Sequence, residues 1–157
     1  MTKPTIQQAI NVARHDDYLR ALNMFVEVYG DGVPYVKNPK DAAGLSYFAL
    51  TVALVKRDFR NAIEICKRAI ALEFYNGDHH ANLSRIYLAA GNRKKAVETA
   101  EAGLKVVPDH EYLTDVRRDL GVRARPAVPV LARTNPINVT LGQARHAKKL
   151  GGQAKKK

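Results

Sequence analysis

Cysteine occurs once in the 157 residues, at Cys66, so an intramolecular disulfide is excluded and a cysteine-rich zinc site is impossible. Tryptophan is absent and aromatic residues make up 7% of the chain, far behind Leu, Ile, Val and Ala. That balance is typical of helical proteins. No apolar run approaches the roughly 20 residues that cross a bilayer, and the stretch from Met1 to Ile10 lacks the apolar core of a secretory signal. The expectation is a soluble cytoplasmic protein. Acidic residues are missing from 121–157 altogether, while nine Lys and Arg fall there. The rest of the chain holds 17 basic and 15 acidic residues, so the net charge of +11 is carried mainly by the C-terminal segment.

Catalytic signatures are scarce as well. The histidines are His15, His79, His80, His110 and His146, and none forms the i, i+4 pair with an intervening Glu that a zinc hydrolase needs. His79 and His80 are neighbours on a helix and point about 100° apart, a poor start for joint metal ligation. Cys66 falls on a buried helical face and reads as a small core residue. No Gly-Lys-Ser/Thr phosphate loop occurs, and Gly30-Asp31-Gly32 is turn chemistry. No catalytic, cofactor or metal site is expected.

What is present is repetition. Asp17-Tyr18-Leu19-Arg20-Ala21-Leu22, Asp58-Phe59-Arg60-Asn61-Ala62-Ile63 and Asn92-Arg93-Lys94-Lys95-Ala96-Val97 share an Asp or Asn, three residues, an Ala and a branched apolar residue. Ala62 and Ala96 are 34 residues apart, whereas Ala21 and Ala62 are 41 apart, and the surplus of seven is assigned to the Gly- and Pro-containing stretch Gly30–Pro34. Asp17, Asp58 and Asn92 each place a side-chain oxygen where it accepts amide hydrogens from a new helix's first turn, so they read as N-caps. Downstream, Ala62, Ile63, Cys66, Ala69 and Ile70, then Ala96, Val97, Ala100, Gly103 and Leu104, recur at three and four as buried faces. The preceding helices are expected to open at Asp41 and Asp78. Their stripes are Leu45, Ala49, Val52 and Ala53, then Leu83, Ile86, Tyr87 and Ala90, with Gly91 as a left-handed terminator. After Pro108, Asp109 is expected to cap a last helix bearing Tyr112, Leu113, Val116 and Leu120, ended by Gly121. Seven helices are predicted, three pairs and a closing one.

The unit 77–110 resembles a tetratricopeptide repeat, a helix–turn–helix of 34 residues, through Leu83, Tyr87, Gly91, Ala96, Leu104 and Pro108. It departs from the family at His80, where Trp is preferred, and at Ser84. The unit 43–76 keeps Ala62, Ala69 and Ile70 but has Ala53 and Phe74 where the family places Tyr and Pro, and the unit 2–29 is divergent. The resemblance, over roughly residues 2–120, implies an all-α fold: a short right-handed α-solenoid of about three such repeats plus a capping helix. Arrays of this kind need about three units, because one pair cannot bury its apolar face alone. The domain is set at 1–120 and a basic arm at 121–157.

The resemblance also implies that first helices line a concave surface. By register that surface includes Ile6, Ile10, Arg14, Tyr47, Thr51, Val55, Arg85 and Leu88, a mixture suited to an extended peptide or a partner helix. Family members that hold the acidic C-terminus of heat-shock chaperones clamp it with Lys and Asn side chains. Here Asp78 stands where a Lys is wanted, which disfavours that ligand.

In the arm, Pro126 and Pro129 favour an extended path over 121–134, and the apolar Val128, Val130 and Leu131 are expected to lie along the repeats. Asn135-Pro136 opens a short basic helix over about 136–149, weakened by Gly142, before a disordered end. Arg123, Arg125, Arg133, Arg145, Lys148 and Lys149 are the contacts expected for an anionic partner. All eleven Tyr and Phe lie at or before Tyr112, so base stacking is unavailable in the arm and a nucleic-acid contact there would be electrostatic. Two functions follow from the sequence: a non-catalytic adaptor binding a protein or peptide in the groove, or a nucleic-acid- or ribosome-associated protein that binds through its arm.

Overall fold

A computed structural model describes residues 3–30 and 41–121 and, in the C-terminal segment, 136, 137, 139–141, 143 and 144. The chain divides into two compact units, Met1–Val122 and Arg123–Lys157. The described residues hold helices and no strand.

The described residues of the first unit hold seven α-helices: α1 (Ile6–Arg14), α2 (Tyr18–Tyr29), α3 (Ala42–Thr51), α4 (Phe59–Leu72), α5 (Gly77–Ala89), α6 (Arg93–Val106) and α7 (Glu111–Asp119). Val52–Lys56 continues α3 as a π-helical turn. The helices pair as α1 with α2, α3 with α4 and α5 with α6, while the first helices α1, α3, α5 and α7 touch in succession. This is an α-solenoid, three hairpins and a closing helix.

The second helices start where the sequence places them. The carboxylates of Asp17 and Asp58 and the amide oxygen of Asn92 accept the amide hydrogens of Arg20, Asn61 and Lys95. Two first-turn assignments are corrected. Asn76, not Asp78, caps α5 by accepting from the Asp78 amide, and His110, not Asp109, caps α7 through Nδ1. Asp41 precedes α3 without a side-chain cap.

Each hairpin turn contains one residue in the left-handed region: Asp16 (φ 63°), Arg57 (φ 58°) and Gly91 (φ 78°). Arg57 and Gly91 are 34 apart and Asp16 and Arg57 are 41 apart, the same spacings as the repeated alanines. The turn geometry is therefore constant, and only the third unit meets it with the residue that adopts it without steric cost.

Packing follows the small residues. Ala21, Ala62 and Ala96 are fully buried, as are Ala69, Cys66 and Ala100 at matching register. Gly103 lies against His80 of α5 and Leu113 of α7 so closely that an added Cβ would stand 2.5 Å from His80 Cβ and 2.6 Å from Leu113 Cδ2. Helix α3 is the centre of the unit: it packs on α1, α2, α4 and α5, and every residue of it but Ala43 is buried. Burial pushes the Cys66 thiol up to about 12, so it stays protonated and inert. At the far end Leu113, Val116 and Leu120 of the closing helix cover the last pair.

In the second unit, residues 136, 137, 139–141, 143 and 144 are helical, and the Thr140 hydroxyl donates to the Pro136 carbonyl at 2.7 Å. The path expected over 122–134 and the helix end beyond 144 lie outside the described residues.

Candidate functional site

Helices α1, α3, α5 and α7 bring a polar surface together from residues far apart in sequence. Arg14, at the end of α1, donates from Nε to the Tyr47 hydroxyl at 3.0 Å and from Nη2 to Asp78 Oδ2 at 2.7 Å. Its guanidinium lies 5.5 Å from the centre of the Tyr47 ring. The Tyr47 hydroxyl donates to the same Asp78 oxygen at 2.9 Å. These contacts hold the Arg14 pKa above its ordinary value, the bond to Tyr47 first and Asp78 second. On the other side, His110 Nε2 stands 3.2 Å from Asp78 Oδ1. Because His110 Nδ1 accepts the Leu113 amide hydrogen, the neutral ring carries its proton on Nε2, the nitrogen nearer Asp78. Gly77 makes room for this ring, since a Cβ there would sit 2.4 Å from it.

Arg85, on α5, forms the second cluster. It donates to the Tyr112 hydroxyl at 2.8 Å and the Tyr18 hydroxyl at 2.5 Å, and it approaches Asp16 at 3.4 Å. The Tyr18 hydroxyl donates to Asp16, which holds the Asp16 carboxyl below its usual range. The Tyr18 phenol is pushed up to about 12, by burial first and by Asp16 second. From Tyr112 a chain of buried bonds runs into the core: Tyr112 to Asn82 Oδ1 at 3.3 Å, then Asn82 Nδ2 to Ser46 Oγ at 2.9 Å.

Two adjoining depressions remain. One, of about 270 Å³, is lined by Arg14, Tyr47, Asp78 and Tyr112. The other, of about 420 Å³, is lined by Arg14, Asp16, Arg85, Leu88, Tyr112, Asp115, Val116 and Asp119. Arg14 and Tyr112 belong to both, so the two form one continuous surface.

Of the residues assigned to the groove from the sequence, Arg14, Tyr47, Arg85 and Leu88 line it, Tyr47 through its hydroxyl edge with its ring buried. Ile10 and Thr51 are corrected to core positions: Ile10 is buried in the hydrophobic core, and the buried Thr51 hydroxyl donates to the Phe48 carbonyl. The reason is that α3 has neighbours on all sides, so register alone does not expose its concave positions. Ile6 and Val55 are half-buried against the core. Arg123, Arg125, Arg133, Arg145, Lys148 and Lys149 lie outside the described residues. Asp16, Tyr18, His110 and Tyr112 were not singled out for the groove; the signal that was available is the polar and aromatic composition of the turn after α1 and of the first turn of α7.

Among the described residues no group of three His, Cys, Asp or Glu is placed to hold a metal ion, and no helix is long and apolar enough to cross a membrane.

Residues 53–120 match the family model of the tetratricopeptide repeat. Over that stretch, from the π-helical turn to the end of the closing helix, the chain is similar to the tetratricopeptide family. Solved structures with the same fold include the first tetratricopeptide domain of human RPAP3, at 16% identity and a TM-score of 0.53, covering 74% of this chain and 86% of that one. The second such domain of human RPAP3, solved in complex with the HSP70 peptide SGPTIEEVD, aligns at 17% identity and 0.50 over 74% of this chain and 92% of that one. The first tetratricopeptide domain of Spaghetti (RPAP3), bound to the HSP90 peptide SRMEEVD, aligns at 16% identity and 0.52 over 73% and 88%. No curated protein sequence matches the chain. The family model begins at residue 53, after α1, α2 and α3.

Proposed function

We propose that the protein is a non-catalytic adaptor that holds a segment of a protein partner in the concave groove of its tetratricopeptide array, while the basic C-terminal segment adds a salt-sensitive electrostatic contact. The observation that carries this reading is the continuous pair of depressions along the first helices, where the exposed Leu88 stands beside Tyr112 and Val116 amid fixed hydrogen-bonding groups. An apolar anchor position among a few oriented polar groups is what an extended peptide or a partner helix needs. The similarity in fold to domains solved with bound peptides supports the same use of the surface.

The test is affinity capture with the intact chain and with Leu88→Asp, over a salt series, with protein and nucleic acid scored separately. The expected result is a protein retained by the intact chain at high salt, where electrostatic contacts are screened, and lost from the variant. Equal retention by both removes the groove from the interaction. Retention of nucleic acid alone, released by salt, makes the basic segment the binder and overturns the adaptor reading.

A further inference from the structure

Arg14 from α1, Tyr47 from α3 and His110, the residue capping α7, all converge on one carboxylate. Arg14 and Tyr47 donate to its Oδ2, and the His110 Nε2 stands 3.2 Å from its Oδ1. Two donors from separate helices on one carboxylate oxygen, with an imidazole nitrogen against the other, constitute a carboxylate-binding site. That site is occupied by the chain's own Asp78, whose side chain is 13% exposed while Arg14 is 52% exposed at the rim of the 270 Å³ depression.

Nothing in the repeat itself calls for an acid at this position. The residue 34 earlier is Gly44, where an added Cβ would stand 2.2 Å from the Tyr29 hydroxyl and 2.8 Å from Ile6 Cγ2, so the equivalent space is filled by other side chains. Among the described residues, Asp78 and Arg14 are the charged groups lining the smaller depression, and they cancel. An incoming carboxylate therefore meets a neutralised Arg14, donors already engaged, and a like charge at contact distance.

We propose that Asp78 is an internal ligand of this carboxylate site and acts as a specificity residue, denying the site to acidic partner termini so that the groove accepts segments without a carboxylate there. This deepens the adaptor reading and rests on it for its purpose, but it is tested independently of any natural partner.

The probe is the fluorescently labelled acidic peptide SRMEEVD, read by anisotropy against the full chain, with its Gln-substituted, C-terminally amidated counterpart as the control without carboxylates. Hydrogen bonds to charged groups contribute about 1.5–3 kcal/mol, so unmasking the site by Asp78→Asn or Asp78→Ser is expected to raise affinity for the acidic peptide roughly 10- to 100-fold. The gain should vanish for the control peptide and in the double variant that also carries Arg14→Gln. Thermal unfolding monitored by circular dichroism accompanies each variant. Wild-type protein that binds SRMEEVD as tightly as the variants overturns the proposal, although it would support groove binding in general. Folded Asn and Ser variants with no gain also overturn it, as does loss of the fold in both, which would make Asp78 a staple between α1 and α5. Failure of affinity capture by the intact chain, with the gain in the variants intact, would instead remove the adaptor reading and leave Asp78 in this role.

Discussion

Replacing Gly103 by Ala should destabilise the array even though alanine is the better helix former. Gly103 lies in the interior of α6, where the intrinsic preference for Ala over Gly favours the variant by about 1 kcal/mol. Against this stands the new methyl group, 2.5 Å from His80 Cβ and 2.6 Å from Leu113 Cδ2. The first neighbour is attached directly to the α5 backbone, and its ring is tied down by donation from Nε2 to the Phe74 carbonyl at 3.0 Å. The second is fully buried and has nowhere to move. Relief requires α6 to shift from α5 and α7, which puts the cost near the upper end of the roughly 1–3 kcal/mol seen for overpacked cores. The expected net loss is about 2 kcal/mol, or a fall in Tm of about 8 °C at the ~4 °C per kcal/mol appropriate to a domain of this size.

The reverse change one repeat earlier sharpens the test. Ala69 is fully buried in α4, 34 residues before Gly103, where its methyl group is part of the native packing. Ala69→Gly should cost about 1 kcal/mol in helix preference and about 0.8 kcal/mol in lost burial. Both substitutions should therefore lower the urea midpoint without changing the slope. A Gly103→Ala variant within about 0.5 kcal/mol of the wild type would show that the α5–α6–α7 contact relaxes freely, and would refute the packing argument.

Other outcomes follow from local contacts. His79 is fully buried, and burial first of all lowers its pKa against the opposing pull of Glu73, so the folded state prefers the neutral ring. Its contribution is then complete above the unfolded-state pKa, about 6.5, and declines as pH falls below it; Tm measured from pH 8 to 5 should fall less steeply in His79→Gln. Asp17→Ala and Asp58→Ala each remove a helix cap and should cost about 1 kcal/mol by urea titration. Arg57→Gly should stabilise by up to about 1 kcal/mol, because it relieves a left-handed residue at the loss of a stacking contact with Phe59 4.9 Å away; a clear fall in Tm would show that the stacking outweighs the backbone strain. An aromatic disulfide reagent should modify Cys66 only at the rate of unfolding, and rapid labelling of the native protein would contradict its burial.

What was legible in the sequence was what short-range chemistry decides. The caps Asp17, Asp58 and Asn92 and the terminators Gly91 and Gly121 were readable because each acts on backbone groups within a few residues. The starts of α5 and α7 were misassigned by one or two residues for a related reason: Asn76 and His110 stand beside better-known capping residues and take the bond instead. The repeat spacing gave the order of the hairpins, since fully buried alanines recur where two helices meet most closely. Exposure in the groove was a different matter, because it depends on how many neighbours a helix has. The stripe rule supposes one buried face, and α3, held by four helices, has none exposed. The same rule therefore listed Thr51 as surface when it is core.

The polar part of the groove was legible only as isolated charges. Arg14 and Arg85 looked like two cations offered to a partner, but their partners lie 64 and 69 residues away at Asp78 and Asp16, and no local pattern announces such pairs. Packing of α1 on α3 and α3 on α5 brings the end of α1 within reach of α5, so each arginine meets an acid already in place. The consequence is a change in what the groove offers: an apolar anchor at Leu88 beside a rim where Asp119 adds negative charge, in place of the apolar surface with two free positive charges that the register implied. A partner that fits this surface brings an apolar side chain flanked by neutral or basic groups, and acidic flanks pay a repulsion that Arg14, engaged with Asp78, does not offset.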